Sequence, residues 1–161
     1  MIISNTTPLI NFCSIARLDI LEKLYIEITI PLAVRNELEE KRDLFPNIDL
    51  IFHSRFISIR EIENKNTYKI LKIDLDNGEA EAITLAIENN AELLLLDEIA
   101  GRNLAEYHDL LFTGTIGCLV IAKRTGIIDK IKPLLDEIKI KARFWIHDDL
   151  YNKVLKENLE I

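Results

Sequence analysis

The sequence predicts an α/β domain in three layers, with a mainly parallel sheet between two layers of helices. Two patterns carry that expectation. Short apolar runs alternate along the chain with helical patterns, and strands separated by helices imply parallel pairing through right-handed crossovers. The run AELLLLD at 91–97 is apolar without alternation, as a strand covered on both faces must be. With 161 residues, 48% hydrophobic and 29% charged, the chain has the composition of an ordinary globular protein. We expect one domain over 1–161, with C-terminal helices from about residue 129 packed on it.

In order, MIISN (1–5) reads as a first strand, followed by helices in TPLINFCSIARL (7–18) and LDILEKLY (18–25). Thr7 is expected as the helix N-cap, with Pro8 at the first helical position. IEITIP (26–31) is a second strand, and Pro31 starts the helix PLAVRNELEEK, whose Leu32, Val34 and Leu38 are apolar. DLFPNIDLIFHSR (43–55) is a loop or short helix, FISIREI (56–62) a strand at a sheet edge, and NTYKILK (66–72) a short helix before the turn DNG. EAEAITLAIENN (79–90) is helical, and AELLLLD is the buried strand. AGRNLAEYH (100–108) is a helix, DLLFTG (109–114) a short strand, and TIGCLVIAKRTG (115–126) a helix closed by Gly126. Two last helices are expected in DKIKPLLDEIKI and HDDLYNKVLKENL.

The net charge is −7 and the pI about 5.0, which argues against a protein that coats nucleic acid through its overall field. A local basic rim around an acidic centre is still compatible with it. No apolar run approaches the roughly 20 residues of a membrane-spanning helix. The N-terminus carries no basic-then-apolar secretory pattern, so a cytoplasmic protein is expected. Cys13 and Cys118 read as reduced core thiols, and His53, His108 and His147 show no ligand spacing.

Parallel α/β sheets bind ligands outside the carboxyl ends of their strands. Those ends hold Asn5, the close of ITIP, Asp97 and Thr113, and acids gather nearby: Glu37, Glu79, Glu81, Asp97 and Glu98. Carboxylates brought together in a partly dry site repel one another, and a divalent cation removes that cost. Oxygen-only ligation points to Mg²⁺ or Mn²⁺ rather than zinc. Taken singly, each acid has a plainer reading. Glu79, Glu81 and Glu98 complement helix N-termini, and Glu37 belongs to a solvated helix face.

SNTTPLI, VRNEL, LDNGEAEAITLA, LLLLDEIAGRNLA and FTGTIGCLVIAKRTGIID resemble, in order, the PIN-domain family. More closely they resemble its prokaryotic VapC-like branch, often described only as predicted nucleic-acid-binding proteins. The resemblance implies a Rossmann-like α/β/α fold and a metal-dependent ribonuclease. Its four acidic positions fall on Asn5, Glu37, Glu79 and Asp97, with Glu81 competing for the third and Glu98 as an additional candidate. Thr6 or Thr115 stands where a hydroxyl contacts metal water or substrate phosphate, and Arg102, Lys123 and Arg124 form the expected RNA-binding rim. Asn5 departs from the usual Asp; an amide oxygen still ligates Mg²⁺ but brings no charge.

The implied function is Mg²⁺- or Mn²⁺-dependent hydrolysis of single-stranded or structured RNA. The setting is a toxin–antitoxin pair with a small antitoxin protein as partner and a homodimer as a further expectation. The alternative is a catalytically silent PIN-fold module that binds RNA or antitoxin, since Asn5 replaces the first acid. A phosphoryl-accepting domain needs an aspartate nucleophile at a strand end, for which only Asp97 serves.

Overall fold

The computed structural model describes residues 1–161. The chain begins β1 (Ile2–Ser4), α1 (Thr6–Ser14), α2 (Leu18–Tyr25), β2 (Ile28–Pro31) and α3 (Leu32–Glu40). It continues through α4 (Asp49–Phe52), β3 (Ile57–Arg60), α5 (Lys65–Leu71), α6 (Asn77–Glu88) and β4 (Leu93–Leu95). The last third holds α7 (Ile99–Tyr107), β5 (Phe112–Thr113), α8 (Thr115–Arg124), α9 (Lys132–Lys141) and α10 (Asp148–Glu157).

All five strands are parallel and lie in the order β3-β2-β1-β4-β5. From β1 the chain moves outward to β2 and β3, then crosses back to β4 and β5. The strand order therefore reverses between β1 and β4, and such a reversal opens a crevice at the carboxyl ends of the two strands. Ser4 pairs with Leu95, and the Asn5 backbone N–H donates to the Leu95 carbonyl at 2.9 Å. Asn5 thus leaves β1 directly beside the end of β4.

The sheet separates two cores. Leu94 and Leu96 join Ile3, Ile83 and Leu85 in one, whereas Leu95 joins Phe12, Ile28 and Leu119 in the other. Alternate side chains of β4 go to opposite faces, and both faces are dry, which is why its sequence shows no alternation. Leu135, Ile138, Val154 and Leu155 bring α9 and α10 into the second, larger core. The chain end is tied down by Glu160, whose carboxylate accepts from Lys123 Nζ, the Ile131 N–H and the Lys132 N–H, each at 2.8 Å.

Two expectations change at helix starts. The N-cap of α1 is Asn5, not Thr7, and Pro8 is the third helical residue. Neither hydroxyl caps, because both threonine side chains reach across to acids from other elements. The turn expected at 76–78 is absorbed into α6, which starts at Asn77 behind an Asp76 cap. Gly126, with φ +78°, closes α8 as the left-handed region favours. Cys13 and Cys118 are buried free thiols, and burial pushes both up to about 12, so they are inert core residues. No helix is long and apolar enough to cross a membrane.

Candidate active site at the carboxyl edge of the sheet

Asn5, Thr6 and Thr7 sit where β1 turns into α1, and all three side chains face the crevice. The Asn5 side chain is almost wholly buried. Its Nδ2 donates to Glu98 Oε2 at 3.1 Å, and its Oδ1 is buried with no donor. A carboxylate can only accept, so the amide is oriented with its nitrogen towards Glu98 and its oxygen free.

Glu37 projects from the middle of α3. Its Oε2 accepts from the Thr6 hydroxyl, and its Oε1 accepts from the Gly78 N–H at 2.9 Å. Gly78 is needed for that approach, since a Cβ there would overlap the Glu37 carboxylate. Burial raises the Glu37 carboxyl above its ordinary range, and the Asp76 charge adds to the rise. The Thr6 and Gly78 bonds and the Lys41 ammonium pull it back.

Glu79 is the third residue of α6 and is buried. The Asp76 side chain accepts from the Glu79 N–H at 2.8 Å, and Glu79 Oε2 accepts from the Asp76 N–H at 3.3 Å, a reciprocal capping box. The plain capping role of Glu79 is real, but it uses one oxygen. Glu79 Oε1 is buried with no donor. Burial first, then the charges of Asp76, Glu98 and Glu37, push this carboxyl up to about 7.

Asp97 lies two residues beyond β4 with its side chain only 9% exposed. Thr115, the first residue of α8, holds both its oxygens: the N–H bonds Oδ1 at 2.8 Å and the hydroxyl bonds Oδ2 at 2.7 Å. Asn11 Nδ2 donates to the Thr115 hydroxyl at 2.9 Å, which directs that hydroxyl's own proton at Asp97. Burial raises the Asp97 carboxyl, the Thr115 bonds lower it, Glu98 raises it, and the Arg102 guanidinium at 3.9 Å lowers it. Gly114 keeps this corner open, because a Cβ there would overlap Asp97 and Arg102.

Glu98 completes the cluster. Its Oε1 accepts from the Thr7 hydroxyl and its Oε2 from the Asn5 amide. Glu81, by contrast, is engaged with α3, where its Oε2 accepts from the Ala33 N–H at 2.8 Å. Of the expected basic rim only Arg102 lies at the site. Lys123 and Arg124, the other two residues of that expectation, sit in the last turn of α8, eight and nine residues beyond Thr115, about 12 Å along the helix axis. Lys123 is moreover bound to Glu160 and to the Asn158 carbonyl. Asn11 went unrecognised as a site residue. Its one signal in the sequence is a lone amide within the apolar run LINFC.

A cavity of about 730 Å³ opens beside Asp97 and Glu98. Arg102, Phe112, Trp145 and His147 line it, with the Arg102 guanidinium 5.6 Å from the Phe112 ring centre and Trp145 78% exposed.

The donor set fits a hard divalent cation in its chemistry: every candidate ligand is an oxygen, and Asn5 Oδ1 and Glu79 Oε1 are buried acceptors without donors. As the side chains stand, no three His, Cys, Asp or Glu residues gather at ligand spacing. Glu37 and Asp97 have both oxygens engaged by hydroxyls and backbone N–H groups.

Among known families, the PIN domain matches this chain over residues 1–160, and the chain belongs to that family. PIN domains are generally nucleases and bind nucleic acids, and the five-stranded parallel sheet with its flanking helices is their three-layer α/β/α fold. No curated protein matches the sequence.

Proposed function

We propose that this PIN-domain protein is a Mg²⁺- or Mn²⁺-dependent ribonuclease of the VapC-like branch, acting in the cytoplasm as the toxin partner of a small antitoxin protein. One observation carries the reading. Two buried acceptor oxygens, Asn5 Oδ1 and Glu79 Oε1, lack donors at the carboxyl edge of the sheet, with the Glu98 carboxylate beside Asn5 and the charges of Glu98 and Glu37 acting on Glu79. Buried oxygens without partners are costly, and they persist where a ligand completes them.

Asn5, Glu37, Glu79 and Asp97 hold the cation in this reading. When bound, it supplies an acidified water and neutralises charge developing on the phosphodiester. Thr6 and Thr115 fix the Glu37 and Asp97 carboxylates, so little reorganisation is left for the chemical step. Arg102 stands beside Asp97 to meet a phosphate, and the Trp145-lined cavity offers a face for an unstacked base. Single-stranded RNA suits that combination, because its bases are free to turn out of the strand.

The test is cleavage of a labelled single-stranded RNA with Mn²⁺. The wild type should cut it, and Asp97→Asn should lower the rate about a hundredfold or more. Trp145 is the chain's one tryptophan, so its fluorescence should be quenched as the RNA binds. Cleavage that is independent of metal, or equal in Asp97→Asn, sinks the assignment.

A second reading has its own observation. Glu37 and Asp97 are already satisfied by hydrogen bonds, and Asn5 is neutral, as in a module that binds RNA or an antitoxin without turnover. RNA binding with no cleavage under any divalent metal selects it.

A further inference from the structure

Position 5 carries an amide where the family's nucleases usually carry an acid, and the structure shows where that amide is spent. Its nitrogen is bonded to Glu98 Oε2 at 3.1 Å. An aspartate in the same place would set a carboxylate oxygen against another at that separation, a like-charge contact in a half-dry crevice. The second oxygen of Glu98 is fixed by the Thr7 hydroxyl, so the carboxylate is held on both sides. The charge of Glu98 reaches its neighbours, raising the carboxyls of both Glu79 and Asp97.

We infer that Asn5 and Glu98 act as one unit, in which Glu98 carries the negative charge that position 5 lacks and Asn5 contributes its free Oδ1. The proposal rests on the cation reading above. The sign of a ligand at this pair is that Asn5 Oδ1 is unpartnered on a residue only 2% exposed. The amide does two jobs that an aspartate cannot combine here. It anchors Glu98 by donation and still keeps an acceptor oxygen free. Glu98 is a positioning and charge-bearing residue of the cation site, one place along the chain from Asp97.

A unit of this kind has a testable signature: its charge can be exchanged between the two positions, but neither doubled nor removed. Mn²⁺ binding by the apo protein, read by calorimetry, and thermal melting in the absence of metal are measured on four proteins. These are the wild type, Asn5→Asp, Glu98→Gln and the double variant. Glu98→Gln should weaken Mn²⁺ binding about tenfold or more. Asn5→Asp should lower the melting temperature of the apo protein, since it brings two carboxylates together. In the double variant the hydrogen bond is reversed, with the amide introduced at position 98 donating to the carboxylate introduced at position 5. Both the melting temperature and the Mn²⁺ affinity should return to within a few degrees and a few-fold, respectively, of the wild type.

The inference is overturned if Glu98→Gln binds Mn²⁺ as the wild type does, if the double variant stays as weak as Glu98→Gln, or if the wild type binds no Mn²⁺. Mn²⁺ binding without RNA cleavage overturns the nuclease assignment and leaves this one standing. A loss of affinity from unfolding is excluded by the melting curves of the same samples.

Discussion

Glu160 and Glu79 are both carboxylates withdrawn from water, and their surroundings differ in one respect. Glu160, at the chain end, accepts from Lys123 Nζ and from two backbone N–H groups at the start of α9. These partners outweigh burial and hold its carboxyl below the usual range. Glu79, at the carboxyl edge of the sheet, has one oxygen in a capping box and one with no donor, among the charges of Asp76, Glu98 and Glu37. Its carboxyl is pushed up to about 7. The first is a charge buried for stability. The second keeps its unsatisfied oxygen available to something the polypeptide does not supply.

The largest stability effect should come from breaking the satisfied end. Glu160→Ala leaves two N–H groups without their acceptor, takes from the Lys123 ammonium one of its two, and should cost about 1.5–3 kcal/mol in urea unfolding, with the RNA-cleavage rate of the folded protein unchanged. If the loss falls below about 0.5 kcal/mol, the chain end is not anchored as described.

The unsatisfied end should respond in the opposite sense. Glu79 has a folded pKa above its unfolded value, so the stability it contributes is fully present below about 4.5 and is lost as pH rises through about 7. Glu160 has a lowered folded pKa, so its contribution is present above about 4.5 and is lost as pH falls through its folded value. Glu79→Gln should therefore stabilise the apo protein at pH 8, on the order of 1 kcal/mol, and flatten its stability between pH 5 and pH 8. An unchanged pH profile would mean that Glu79 does not carry the strain.

Gly78→Ala sharpens the same contrast. Alanine in a helix usually gains about 0.5–1 kcal/mol over glycine. Here the added Cβ overlaps the Glu37 carboxylate, which must swing away and give up its bonds to the Gly78 N–H and the Thr6 hydroxyl, so the gain should be cancelled and Mn²⁺ binding weakened. The smallest effect belongs to Arg124→Ala. That side chain is exposed at the far end of α8, and its removal should change stability by less than about 0.5 kcal/mol and leave RNA affinity as it was.

The elements were legible because local rules and tertiary demands agree in them. The unbroken apolar run of β4, the helix over EAEAITLAIENN and the left-handed stop at Gly126 each appear at or near the position that periodicity and turn chemistry assign. Thr7 shows where that agreement ends. Its type and position suit a cap, but a hydroxyl takes the strongest acceptor within reach, and Glu98 is a carboxylate 91 residues away. Asn11 was unreadable for a similar reason: its one side-chain partner is Thr115, 104 residues on. Lys123 shows a further limit, since residue type gives no direction along a helix. The start of α8 lies at the site, and its end lies with the chain terminus.

By itself the sequence determined the layered parallel sheet, since hydrophobic periodicity and strand–helix alternation leave few other topologies; the family followed from the resemblance of five motifs, and the strand ends marked where chemistry is expected. Only the tertiary structure decided how the acids are used. It assigned Glu81 to α3, bonded Glu98 to Asn5, and left the oxygens of Asn5 and Glu79 without donors. Those outcomes depend on distances between residues far apart in the chain, where burial removes water as a substitute partner and makes each bond made or missing count.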